Sequence, residues 1–154
     1  MAIKKPREGS LLRIGLEDGA NAFARVLPNS QIALYDILVP QIDTLSSHNV
    51  FSAKILWKLT VMKSALISGR WPVMDYRPLE SELTAPVEYF IRDQLTGRYS
   101  IYRSSDGYTR GSTFEECKEL EAAAVWEAEH IEDRIRDHFA GRPNTWAEQL
   151  KAMP

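Results

Sequence analysis

Cys117 and the three histidines, His48, His130 and His138, are the residue types from which a nucleophilic site would be built. Such a site needs a nucleophile, a base and an orienting group in mutual contact. Cys117 and His130 fall in one helical pattern, thirteen residues apart. That is about 20 Å along a helix axis, so the thiol and the imidazole cannot meet. Cys117 also sits on the apolar stripe of that pattern, where a buried thiol is inert. His48 lies in a polar loop, and nothing around it argues that it is aimed at the thiol. Glu127 and His130 have the i, i+3 spacing of carboxylate-bridged iron helices, but a second helix with its own Glu-x-x-His is missing. No Gly-rich phosphate loop is present. The expectation is a protein with no catalytic residue, no metal and no cofactor, and therefore not an enzyme.

Charge offers a different kind of chemistry. The stretch Ser112 to Gly141 holds nine acids (Glu115, Glu116, Glu119, Glu121, Glu127, Glu129, Glu132, Asp133, Asp137) and three bases (Lys118, Arg134, Arg136). Its net charge is −6 in a chain whose total is −2. A solvated helix face is normally charged and glutamate is a good helix former, so any one of these acids has an ordinary explanation. The lopsided balance is what raises a docking surface for a basic partner. Glu116, Glu119, Glu127 and Asp133 are the candidate partner-binding residues. The rival reading is a nucleic-acid-binding module. It would use Lys54, Lys58, Lys63, Arg92, Arg98, Arg103 and Arg110, with Tyr99 and Tyr102 among them as stacking groups. Strand faces towards water also carry Lys and Arg to protect edges, and the near-neutral total charge argues against general nucleic-acid binding.

The elements that must position these groups are legible in outline. Thr113 with Glu116, and Ser112 with Glu115, have capping-box spacing. Phe114, Cys117, Leu120, Ala124, Ala128, Ile131, Ile135 and His138 or Phe139 follow at steps of three or four. Gly141 and Pro143 supply the stop. These signals predict one helix from Thr113 to Phe139, a rod of roughly 40 Å. Upstream, Ser10–Leu16, Ala22–Leu27 and Gln31–Val39 read as strands joined at Asp18-Gly19 and at Pro28-Asn29-Ser30, a meander that implies antiparallel pairing. Val50–Met62 alternates and reads as a long strand, with a helix as the other option. Trp71–Met74 reads as the beginning of another strand. Val87–Asp93 and Tyr99–Arg103 form a hairpin, Ser104–Gly111 a loop, and Pro143-Asn144-Thr145, with Glu148 behind it, a cap for a last helical turn or two over Trp146–Lys151. The four tryptophans read as packing anchors, with Trp126 off the helical stripe. The fold class is α+β: an antiparallel, strongly bent sheet of five to seven strands, packed by one long C-terminal helix.

At 154 residues, with 44% hydrophobic and 26% charged residues, the chain suits one domain over residues 10–154 behind a polar lead-in, 1–9. A single cysteine and the lack of an apolar leader or membrane span point to the cytoplasm.

Several islands, in order, resemble the immunity protein 26 family of bacterial polymorphic toxin and contact-dependent inhibition systems. They are Gly9 before an apolar strand, Asp18-Gly19, Leu34-Tyr35-Asp36, Ile67-Ser68-Gly69-Arg70-Trp71, Pro78-Leu79 and Leu83…Pro86. To these add Glu115-Glu116-Cys117…Leu120-Glu121…Val125-Trp126…Arg134-Ile135. The resemblance runs over residues 9–146. It implies a cytoplasmic, non-enzymatic antitoxin that binds and neutralises a cognate toxin effector domain, such as a nuclease. Such families bind through surfaces that differ between members, so it carries over no binding residue.

Overall fold

A computed structural model describes residues 5–40 and 47–154, with only the backbone of residues 47 and 48. The reading of His48 as a loop histidine falls on a side chain outside the described residues. Among the described residues nine strands form two sheets. The first contains β1 (Ser10–Gly15), β2 (Asn21–Leu27), β3 (Gln31–Tyr35), β4 (Ile55–Val61), β5 (Val73–Tyr76) and β9 (Val125–Trp126), in the order β5-β1-β2-β3-β4-β9. All its pairings are antiparallel except that of β4 with β9. The second is the meander β6 (Glu88–Arg92), β7 (Tyr99–Arg103) and β8 (Thr109–Ser112). The α+β class and the antiparallel meander are as expected. The six-stranded sheet falls within the expected count, and a second sheet adds three strands.

Both central strands, β2 and β3, are buried along their whole length. This explains why their sequence alternates so weakly: both faces are covered. On one face Ala22, Ala24, Val26, Ile32 and Leu34 meet Ile131 and Ile135 of the C-terminal helix. On the other, Phe23, Tyr35 and Leu11 meet Val50 of α1 (Ser47–Phe51). That helix shortens the strand expected over Val50–Met62 to Ile55–Val61. Two short helices, α2 (Lys63–Ile67) and α3 (Ser81–Thr84), fill connections for which no element was predicted. The predicted loop over Ser104–Gly111 contains the start of β8.

The single helix from Thr113 to Phe139 does not form. It is α4 (Phe114–Cys117), a non-helical stretch of turn, bend and bridge ending in β9, and α5 (Ala128–Phe139). The predicted ends are correct. Thr113 Oγ1 accepts from Glu116 N at 3.3 Å, and Gly141 stops α5 with φ +70°. The middle fails because the stripe serves two cores. Cys117, Phe114 and Leu120 pack on Phe90, Tyr99 and Ile101 of the small sheet, whereas Ala128, Ile131 and Ile135 pack on the large one. Between them the backbone satisfies both sheets. Phe90 N donates to Glu121 O (3.0 Å), Ala123 N to Phe90 O (2.8 Å), and Met62 N to Trp126 O (3.0 Å). Helix propensity separates Ala122–Ala124 from ordinary residues by at most about 0.7 kcal/mol each. Burying Trp126, which covers 150–250 Å² of apolar surface in a typical core, stabilises by roughly 4–6 kcal/mol at 25 cal/mol per Å². Tertiary packing therefore wins. The final helix, α6 (Thr145–Leu150), starts within the expected cap segment, and Asn144 is the residue that caps it, its Oδ1 accepting from Ala147 N at 2.9 Å.

Candidate partner-binding site

The break in the helix redistributes its acids. Seven of the nine hold a base within the fold. Glu121 takes Arg134 through two bonds of 2.7 and 2.9 Å, and Glu132 takes Arg70 through two of 2.8 Å. Glu115 pairs with Lys118, Glu129 with Arg70, and Asp137 with Arg142. Of the four candidate residues, Glu116 pairs with Arg110 at 3.3 Å and Asp133 with Arg136. The bond from Arg110 also holds the Glu116 carboxyl below its ordinary value. Glu119 and Glu127 have no basic partner among the described residues, and both are exposed. The four thus fall on separate elements, Glu116 on α4, Glu119 and Glu127 in the connection to α5, and Asp133 on α5. Two are neutralised, and two stand free near the two ends of the non-helical stretch.

Three of the ion pairs are structural fastenings that the sequence did not announce. Arg25, on β2, is fully buried. It bonds Glu80 (3.0 Å), Tyr35 Oη (3.1 Å) and the carbonyl oxygens of Gly9, Arg77 and Pro78. Gly9 takes φ +94°, and a Cβ there would overlap Arg77 O. The Gly9 and Pro78 islands therefore belong to one knot around Arg25. Arg70 and the Trp71 indole N–H (2.9 Å) converge on the buried Glu132, which ties the Gly69-Arg70-Trp71 turn to α5. Burial alone would raise the Glu132 carboxyl, but bonds from Arg70 and Trp71 outweigh it and the net shift is downward. Arg134 lies over the rings of Trp57 (4.0 Å) and Trp126 (5.1 Å) while gripping Glu121. Trp126 is accordingly buried. The one available signal was Arg25 itself, a lone charge within the apolar run of β2.

The other candidate chemistries are dispersed. Cys117 is fully buried against aromatic residues of the small sheet. His130 stacks on Trp146 with centroids 4.0 Å apart, and His138 Nε2 lies 3.2 Å from Asp36 Oδ1. Among the described residues no three His, Cys, Asp or Glu side chains converge as metal ligands. The basic surface of the nucleic-acid reading is split between two sheets, Lys54 and Lys58 beside or on β4 and the arginines on the hairpins. Arg103 is held by Asp106 and Arg110 by Glu116. Tyr99 is buried, its hydroxyl bonded to the backbone of Met153, so it offers no stacking face. Among the described residues no helix is long and apolar enough to cross a membrane.

A family model described as Immunity protein 26 matches residues 7–101. No curated protein and no solved structure matches the chain. The matched span contains the Arg25 knot, the Gly69-Arg70-Trp71 turn and the strands from β1 to the start of β7. It ends before α4, so all four acidic candidates lie beyond it. With more than half of its length matched, the chain belongs to the immunity protein 26 family.

Proposed function

We propose that this protein neutralises a cognate toxin effector domain by one-to-one binding, in the cytoplasm of the bacterium that makes both. The observation that carries the reading is family membership over residues 7–101. It acts by occupying the toxin and needs no catalytic group, metal or cofactor of its own. Glu119 and Glu127 are the acids that meet the toxin most directly, because no internal base compensates them. Glu116 and Asp133 contribute less, being already tied to Arg110 and Arg136. A partner with a basic surface, such as the cleft of a nuclease, gains association rate and specificity from such carboxylates.

The test is co-expression with the toxin domain encoded by the adjoining gene. Cells should survive only when this chain is present, and calorimetry should give a stoichiometry of one. Reversing Glu116, Glu119 and Glu127 together to Lys should slow association about tenfold at low salt, with the difference shrinking as salt rises. Equal association rates for the triple variant and the parent would rule out the acidic contact.

A further inference from the structure

Residues 145–154 run from the end of α5 back to the small sheet, as α6 and the four residues after it. None of them is buried, and only Ala147 and Ala152 are half-buried. Ala147 packs on the core of the large sheet, and Ala152 on the small-sheet cluster of Phe90, Tyr99, Ile101 and Cys117. The segment is thus a strap between the two cores, held down by little apolar area. Leu150 and Lys151, in its second half, line clefts of about 140 and 360 Å³, so the strap is not tightly packed there. The smaller cleft is also lined by Leu120, Ala122, Trp126 and the paired Glu121 and Arg134.

The polar attachment is confined to the two ends. At the start Asn144 is 8% exposed, and its Nδ2 donates to Asp137 Oδ2 at 2.9 Å. Its Oδ1 accepts from Ala147 N and its carbonyl oxygen from Glu148 N, both at 2.9 Å. Asn144 is therefore a fixed pivot that carries α6. Trp146 stacks on His130 of α5, with centroids 4.0 Å apart and planes at 26°. At the far end Tyr99 Oη accepts from Met153 N at 2.7 Å and donates to Met153 O. Among the described residues, these are the only hydrogen bonds that tie the segment beyond Asn144 to the rest of the fold; the Lys151–Glu148 pair is internal. One hydroxyl thus holds the far end of a segment with few buried contacts and exposed backbone bonds, the features of a unit that opens locally. A detached helix of six residues does not persist in water, so α6 unwinds when it leaves.

We infer that residues 145–154 form a latched strap, opening as one unit about Asn144 while both sheets stay folded, with the Tyr99 hydroxyl as the latch. Opening brings water to the Glu121–Arg134 pair and to the crossing between the sheets without breaking a strand. Hydrogen exchange of the native full chain, read residue by residue by NMR, tests this. After correction for intrinsic rates, the amides of Ala147, Glu148 and Met153 should be slowed together, roughly a hundredfold relative to an unfolded chain, and those of β2 far more. Tyr99→Phe keeps the ring and removes the hydroxyl. It should speed exchange at Met153 and, by the same factor of about ten, at Ala147 and Glu148, which the hydroxyl does not touch. Trp146→Ala loosens the other end and should speed exchange at Met153 about fivefold. Ala147 and Glu148 amides as slow as those of β2 would make the strap part of the global fold and overturn the inference. So would a change at Met153 alone in Tyr99→Phe, which reduces the latch to one local bond. Protection that falls away steadily towards Met153 and ignores both substitutions would show a fraying end in place of a latched unit.

Discussion

Replacing Glu132 separates three effects that meet at one carboxylate. Glu132→Ala removes the acceptor of the Trp71 indole N–H, whose residue is only 2% exposed. A buried donor left without a partner costs about 1–3 kcal/mol. The lost pair with Arg70 adds about 1 kcal/mol, because the Arg70 side chain is 42% exposed and water screens it. A lost buried methylene adds about 0.8 kcal/mol. The expected loss is about 4 kcal/mol, or about 12 °C in Tm for a chain of this size. Glu132→Gln keeps an acceptor for Trp71 and the packing, and should cost only about 1–2 kcal/mol. Urea denaturation at pH 7, with unchanged m values, measures both. The pH profile gives a further check. The native Glu132 carboxyl sits below its ordinary value of 4.5. Its contribution is therefore complete above that value and is lost as pH falls through the lower, folded one. The gap between the parent and Glu132→Gln should narrow on acidification. In Arg70→Met burial is no longer outweighed, the carboxyl rises, and stability due to Glu132 should instead fall as pH increases through its new value. Equal losses for Ala and Gln, or a loss below about 1 kcal/mol for Ala, would refute the assignment.

Two other outcomes follow from buried groups. Arg25→Met strips donors from Glu80, Tyr35 and three carbonyl oxygens at once, and should cost about 3–5 kcal/mol by chemical denaturation. Cys117, fully buried, should resist a thiol-specific chromophoric reagent in the native protein and react fully in denaturant; fast native labelling would contradict its placement.

Local signals were legible wherever one element could satisfy itself. The Asp18-Gly19 turn, the Thr113 and Asn144 caps and the Gly141 stop all act where their chemistry places them. The hairpin read over Val87–Asp93 and Tyr99–Arg103 forms as Glu88–Arg92 and Tyr99–Arg103, with Phe90 opposite Ile101. What stayed hidden depends on partners distant in sequence. Nothing near Arg25 points to Glu80, 55 residues away, and nothing near Glu132 points to Arg70, 62 away. The acidic balance was real, but its meaning was set by those partners. Arg70, Arg110 and Arg142, from outside the acidic stretch or at its ends, neutralise acids that look free in one dimension.

The helix break also bears on function. Ala122–Ala124 are good helix formers held outside a helix, in a bridge and a bend, a conflict between local preference and fold that natural sequences keep where something else requires it. Continuing the helix would withdraw the backbone bonds of Glu121 and Ala123 to Phe90 and that of Trp126 to Met62. The same conflict sets Glu119 and Glu127 at the two margins of the crossing, where neither pairs with the bases on α5 that hold Glu121 and Asp133. The uncompensated charge and the helix break therefore have one cause, the passage of a short strand between two sheets.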